Sequence, residues 1–172
     1  MKSIVAALAV LLATCAVAEA QRARPRETPP SYFYLYGEYN YYTDSSDLRG
    51  GGGGLGWNIN RYLGLQAGGQ LLSAPGVDVT NIYAEAKLSW PLTDSFSVNA
   101  SAGGAYGDAS ASVTLLTFPP RTVSVSNSAT GYRIGLGAEY WLGENWGLRA
   151  NWHQQNVGGA GSDIGAGIAF RF

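Results

Sequence analysis

The feature of this sequence that most restricts its fold is an alternation of apolar residues with polar or small ones, at a period of two. In NIYAEAKLSW (81–90) every even-numbered residue is apolar, and the same holds for DIGAGIAFRF (163–172). Such a period predicts β-strands with one apolar face. A soluble β-sandwich would also alternate, but these segments are about ten residues long and collect aromatic residues at their ends, which is typical of strands that cross a lipid bilayer.

Eight segments of this kind follow one another, and we place strands at 32–42, 50–59, 62–72, 79–90, 96–107, 129–141, 146–153 and 163–172. The connections alternate between short turns (58–61, 91–95 and 142–145) and longer loops (43–49, 73–78, 108–128 and 154–162). The predicted fold class is therefore all-β, an eight-stranded antiparallel up-and-down transmembrane β-barrel with its short turns in the periplasm. In the third long loop the outward positions become polar, so we expect a hairpin that projects beyond the membrane and turns at Pro119-Pro120.

The N-terminus predicts export from the cytoplasm. Lys2 precedes an apolar segment that is too short to span a bilayer comfortably, and Ala18-Glu19-Ala20 is a typical cleavage site. A second interpretation is a lipoprotein signal with Cys15 as the lipid acceptor. The main interpretation divides the chain into a signal peptide cleaved after Ala20 (1–20), a Pro-rich periplasmic leader (21–31) and an outer-membrane barrel (32–172).

Composition excludes several classes of function. Cys15 is the only cysteine and is removed with the signal peptide, so we expect neither disulfides nor a cysteine-ligated metal. The net charge of −1 argues against a nucleic-acid partner. The sequence shows no metal-ligand constellation, and we predict no metal and no cofactor.

The glycine tract at 50–56 formally contains G-x-G-x-x-G at Gly51, Gly53 and Gly56. A dinucleotide-binding fingerprint requires a helix directly after its glycines, whereas here a turn, NINR, follows. The even-numbered glycines fall in the lumenal register beside the inward positions of strand 1. We therefore interpret them as space for Tyr34, Tyr36 and Glu38 in a barrel only just wide enough for side chains.

One choice of register produces two belts of aromatic residues, as expected at the two interfaces of a membrane. The predicted periplasmic belt consists of Phe33, Trp57, Trp90, Phe96, Tyr140, Trp146, Phe170 and Phe172. The predicted outer belt consists of Tyr41, Tyr106, Tyr132 and Trp152.

The opposite, lumenal register collects most of the strand charges. Buried charges are costly unless they are paired, so we predict a lumenal ion-pair network. Its predicted members are Glu38, Glu85, Lys87, Arg133, Glu139, Arg149 and Arg171.

The hairpin GLGAEYWLGENWGLRANW and the final strand GIAFRF resemble the OmpA-like family of eight-stranded outer-membrane barrels, and the resemblance covers essentially all of 32–172. It implies a C-terminal signal for membrane insertion at Ile168, Phe170 and Phe172. It also implies a lumenal cluster at Lys87, Glu139 and Arg149. The family's glutamate on strand 2 has no counterpart here, and Glu38 or Glu85 would substitute for it. Full-length members add a peptidoglycan-binding domain, and the sequence stops at Phe172, so we do not carry that role over.

These observations favour a non-enzymatic integral protein of a Gram-negative outer membrane, with a structural or surface-interaction role such as adhesion or envelope integrity. A lipid A-modifying barrel enzyme is one alternative, because His153 lies near the outer rim, but Gln155 occupies the position where such an enzyme carries its serine. A small gated pore is another. The expected partners are outer-membrane lipid and lipopolysaccharide, the barrel-assembly machinery and periplasmic chaperones, and a surface ligand whose identity the sequence does not reveal. We expect a monomer.

Overall fold

The computed structural model describes residues 31–44, 48–115, 121–157 and 160–172. Eight strands make up this part of the chain: β1 (Tyr32–Tyr42), β2 (Arg49–Asn58), β3 (Leu63–Ala74), β4 (Val77–Pro91), β5 (Phe96–Leu115), β6 (Arg121–Trp141), β7 (Trp146–Asn156) and β8 (Ala160–Arg171). The predicted signal peptide and all of the leader except Ser31 lie outside the described residues. In the described ranges no helix is long and apolar enough to cross a bilayer.

Each strand pairs antiparallel with the next, and β8 pairs with β1, so the sheet closes into a barrel in sequence order. The predicted fold class is thereby confirmed. Following the pairing once around the barrel from Tyr32, through Lys87 and His153, leads back to β1 at Tyr42, ten residues further along. For eight strands such a stagger corresponds to a tilt of about 40° and to an interior that side chains can fill.

The two faces of the barrel are inverted relative to a soluble protein. Among the described residues, the buried set contains twice as many polar and charged residues as apolar ones. Large apolar side chains such as Leu35, Leu71, Ile82 and Leu136 are instead exposed on the outer wall. Because water does not stabilise so much exposed apolar surface, the wall is suited to lipid.

The observed strands are longer than predicted on the side of the long loops. The largest difference lies within 108–128, where β5 and β6 stay paired from Asp108↔Ser128 to Leu115↔Arg121. The hairpin expected within this connection is present, but the strands continue beyond the predicted ends at 107 and 129, because alternating Ser, Ala and Val residues suit a two-stranded ladder whether or not a membrane surrounds it. β3 and β4 are also extended and meet at a tight turn in which Gly76 has φ 80°. The predicted turn at Pro119-Pro120 lies outside the described residues.

The glycines of β2 stand opposite the bulky residues of β1. Tyr34 pairs with Gly56 and Tyr36 pairs with Gly54. A Cβ on Gly56 would overlap the Tyr34 ring, and a Cβ on Gly54 would lie 2.7 Å from the Tyr36 hydroxyl oxygen. These positions therefore lack side chains because the tyrosines of the neighbouring strand occupy the space.

Candidate functional site in the barrel lumen

Six of the seven residues predicted for the lumenal network lie in the centre of the barrel. Each occupies an inward position of its strand and is at most 6% exposed. They are Glu38 on β1, Glu85 and Lys87 on β4, Arg133 and Glu139 on β6, and Arg149 on β7.

The end of the lumen near the short turns contains the pair Lys87 and Glu139. Lys87 Nζ lies 3.0 Å from Glu139 Oε1 and 3.2 Å from Oε2, so it donates to both carboxylate oxygens. The same ammonium group lies 4.5 Å from the centre of the Tyr34 ring. The aromatic face and the carboxylate together replace water around this buried cation.

Arg149 connects this end to the middle of the lumen. Its Nε lies 3.7 Å from Glu38 Oε2, and its Nη2 donates to Gln66 Oε1 at 3.3 Å. Its guanidinium carbon lies 4.1 Å from the centre of the Tyr36 ring. Gln66 in turn donates to Glu85 Oε2 at 2.6 Å, so the polar chain continues toward the other end of the barrel.

Arg133 is the centre of the upper part of the network. Its Nε lies 3.3 Å from Glu85 Oε1, and its Nη2 lies 3.8 Å from Asp163 Oδ1. Its guanidinium carbon lies 3.9 Å from the centre of the Tyr83 ring. Each of the three lumenal cations is thus held between a carboxylate and a tyrosine face. Charged and aromatic side chains thus occupy the lumen from Lys87 and Glu139 to Arg133 and Asp163.

Arg171 lies apart from this cluster, although the same alternation points it inward. Its Nε donates to the backbone carbonyl of Glu144 at 2.6 Å. Its guanidinium carbon lies 4.9 Å from the centre of the Tyr32 ring and 4.8 Å from that of Trp141. Because β8 ends here, Arg171 lies at the mouth on the side of the short turns instead of joining the lumenal ion pairs.

His153 also faces the lumen and is only 3% exposed. Its Nδ1 lies 2.8 Å from Arg133 Nη2 and 3.2 Å from Asp163 Oδ1. Since arginine can only donate and a carboxylate can only accept, Nδ1 hydrogen-bonds with one of these two groups at a time, according to its protonation. Ser101 pairs with Gly135 of the next strand, and Gly135 pairs with His153. A Cβ on Gly135 would contact both Ser101 and His153. Serine, histidine and aspartate therefore lie in one row, and all three are buried in the lumen.

The aromatic residues of the predicted periplasmic belt surround the end with the short turns. Phe33 stacks on Trp57 with ring centres 5.6 Å apart and on Phe172 at 6.5 Å. Trp146 meets Phe170 edge-on at 5.0 Å. Trp90 is exposed, and Phe96 is half-buried. Tyr140 is buried, so it contributes little surface to lipid.

At the opposite end, Tyr106, Tyr132 and Trp152 are exposed on the outer wall, and Tyr41 is half-buried. Of the residues proposed as the insertion signal, Ile168 and Phe172 are exposed on the same wall. Phe172 also donates its backbone N–H to the Phe33 carbonyl at 3.2 Å, which joins the end of the chain to β1.

Asp163 and Gln66 are parts of the network that the sequence analysis missed. Asp163 is fully buried and contacts Arg133, and Gln66 links Arg149 to Glu85. The alternation in DIGAGIAFRF already placed Asp163 in the inward register, so that signal was available. Gln66 carries no charge, and only its contacts show its role. Within the described ranges no three His, Cys, Asp or Glu side chains lie close enough to hold a metal ion.

A closed, eight-stranded antiparallel barrel with an apolar outer wall and a charged interior defines the small outer-membrane barrels of bacteria. The chain belongs to the outer membrane protein beta-barrel domain family, whose model matches residues 6–172. No curated protein matches the chain.

Solved structures with the same fold include the N-terminal barrel domain of Pseudomonas aeruginosa OprF, with 20% identity over 83% of this chain and 98% of that chain and a TM-score of 0.62. Neisserial surface protein A is 18% identical over 83% of this chain and 97% of that chain, with a TM-score of 0.63. Ail, the attachment invasion locus protein of Yersinia pestis, is 16% identical over 83% of this chain and 97% of that chain, with a TM-score of 0.56. At these identities the similarity establishes the fold alone.

Proposed function

We propose that this protein is a non-enzymatic outer-membrane barrel that makes surface contacts through the hairpin formed by β5 and β6. The observation that carries the proposal is the length of this hairpin relative to its neighbours. β5 pairs with β4 only as far as Ala111, and β6 pairs with β7 only from Arg133 onward. Residues 112–115 and 121–124 therefore pair only with each other in the described structure and extend past β4 and β7, and residues 125–132 pair with β5 alone.

Among the described residues, the β7-facing edge of β6 pairs with no strand from Arg121 to Thr130. From Val123 to Thr130 the strand contains no charged residue and no proline, the devices that usually protect an edge strand from pairing. Val123 and Val125 are exposed. An extended segment of another protein could add to this edge through backbone hydrogen bonds. The names of two proteins of the same fold, a surface protein and an attachment locus protein, are consistent with such a role.

The test compares adherence of bacteria that display the intact barrel with adherence of bacteria that display a shortened one. Ala109 and Asn127 are paired, so a two-residue Asn-Gly turn can join them after removal of 110–126. We expect adherence to cultured epithelial cells to fall to the level of cells without the protein, while the shortened barrel still shows a boiling-dependent shift in electrophoretic mobility. Equal adherence of the two strains would contradict the proposal.

A second variant tests the edge itself. Val125→Lys keeps the length of the hairpin but places a charge on its open strand, and we expect it to weaken adherence. Leu71→Lys is unsuitable as a control because Leu71 faces lipid. Asp94→Lys, at an exposed position in a turn at the other end of the barrel, should leave adherence unchanged.

The closed lumen supports a structural role over a small pore. Arg133, Lys87 and Arg149 are each held by a carboxylate and an aromatic ring, and the first two are at most 1% exposed. The burial of the row formed by Ser101, His153 and Asp163 argues against the lipid A-modifying alternative. The proposed partners during biogenesis are the barrel-assembly machinery and periplasmic chaperones, with Phe172 as part of the recognised signal.

A further inference from the structure

The hairpin formed by β5 and β6 presents backbone groups along the edge of β6 that faces β7. The Trp141 N–H donates to the Ser95 carbonyl on the β5 side, and the Leu142 N–H donates to the Trp146 carbonyl on the β7 side. Backbone groups of successive residues alternate between the two edges of a strand, and the β5–β6 ladder continues without a bulge to Arg121. The even-numbered residues therefore direct their N–H and C=O groups to the β7-facing edge. Along the projecting part of β6 they include Ser124, Ser126, Ser128 and Thr130.

In the described ranges no strand of the chain itself covers this edge. The last pair between β6 and β7 is Arg133 with Gln155, and β7 ends at Asn156. β8 begins at Ala160, so the link after β7 is too short to run along eight residues of β6. Closure of a barrel normally removes open edges, and an open edge is a template for another strand.

The edge is complementary to a second copy of itself. In an antiparallel arrangement centred on Val125, this residue stands opposite Val125 of the second copy in a non-hydrogen-bonded pair, where side chains approach most closely. Ser124 then exchanges backbone hydrogen bonds with Ser126 of the second copy. Val125 is 66% exposed in the single chain, so the pairing buries apolar surface and forms a contact between β-branched residues. No charged residue lies between 122 and 130, so the two edges do not repel each other.

An antiparallel arrangement determines where the second barrel lies. The two-fold axis through Val125 is perpendicular to the hairpin, so the second barrel points in the opposite direction and belongs to a facing membrane. Tyr132 is exposed at the loop end of the outer wall, and the strand rises by about 23 Å from there to Val125. With the strand tilt, two such lengths separate the facing barrels by about 35–45 Å. A parallel arrangement, which would join two barrels in one membrane, pairs slightly less stably.

We propose that the open edge of β6 binds the same edge of a second copy in a facing membrane, so that the protein joins cells that carry it. This inference rests on the proposed function, because it names the partner of the same edge. The contact between the two Val125 side chains lies at its centre. Many such pairs form between two surfaces that both carry the protein, so weak single contacts add up to stable attachment.

The test uses the full mature barrel reconstituted in phosphatidylcholine vesicles of two colours, whose joining is measured by fluorescence microscopy. We expect the intact barrel to join vesicles. Val125→Lys and Val125→Glu should each reduce joining to the level of vesicles without protein, because like charges then stand opposite each other. Mixing Val125→Lys vesicles with Val125→Glu vesicles should restore joining, since opposite charges meet at the axis. This recovery requires both variants to be folded, so it separates a lost contact from a lost fold.

Ser110→Lys is the matched control. It adds the same charge at an exposed position of β5, away from the open edge, and should join vesicles as well as the intact barrel does. The proposal is overturned if the intact barrel joins no vesicles, if Val125→Lys alone joins them equally well, or if the mixture of variants does not recover. Adherence to epithelial cells that depends on the hairpin, without any joining of vesicles, would leave the proposed function standing and assign the edge to a different protein.

Discussion

The packing of the glycine tract against β1 can be tested by adding a single methyl group. Tyr34 is fully buried, and a Cβ on Gly56 would overlap its ring. The ring cannot easily move away, because Lys87 lies over its face and its hydroxyl donates to Gln66 at 3.2 Å. Overpacking of a filled interior costs about 1–3 kcal/mol. We therefore expect Gly56→Ala to lower the free energy of unfolding by about that amount.

The control is Gly51→Ala in the same strand. Gly51 faces outward, and an added Cβ would meet nothing within 4 Å. Because alanine has fewer accessible conformations than glycine in the unfolded chain, this change should be neutral or stabilise by up to about 1 kcal/mol. The measurement is urea unfolding of both barrels in lipid vesicles, followed by tryptophan fluorescence. Equal midpoints for the two variants would refute the assignment of the lumenal glycines to packing space.

Four further expectations concern the lumen and the end of the chain. Arg133→Met leaves Glu85 and Asp163 without their cation and should lower the free energy of unfolding by about 3–5 kcal/mol in the same urea assay. The control Arg49→Met, at an exposed position, should change it by less than about 0.5 kcal/mol. In planar bilayers the intact protein should show no discrete conductance, and channels that disappear in Lys87→Ala would establish a gated pore instead. Deletion of Phe172 should lower the amount of barrel assembled in cells, a result that normal assembly would contradict. Lipid A incubated with the protein should stay intact, and turnover that His153→Ala removes would establish the enzyme.

The local pattern of the sequence determined which residues face the lumen and which face lipid. A strand turns successive side chains to opposite sides, so the alternation alone placed Glu38, Lys87 and Arg133 inside and Leu136 outside. The number of strands followed in the same way, since each alternating segment ends at a turn or loop. Even the role of Gly56 could be inferred, because Tyr34 lies in the matching register of the preceding strand.

The partners within the lumen were decided only when the barrel closed. Lys87 and Glu139 are 52 residues apart and do not stand opposite each other in any strand pair, yet the tilt of the strands brings them to 3.0 Å. The tilt depends on the ten-residue stagger around the whole barrel, which no single segment encodes. The same stagger places Arg171 at the end of the barrel with the short turns, away from the other cations. Alternation is a local property of each strand, whereas distances across the lumen depend on all eight strands together.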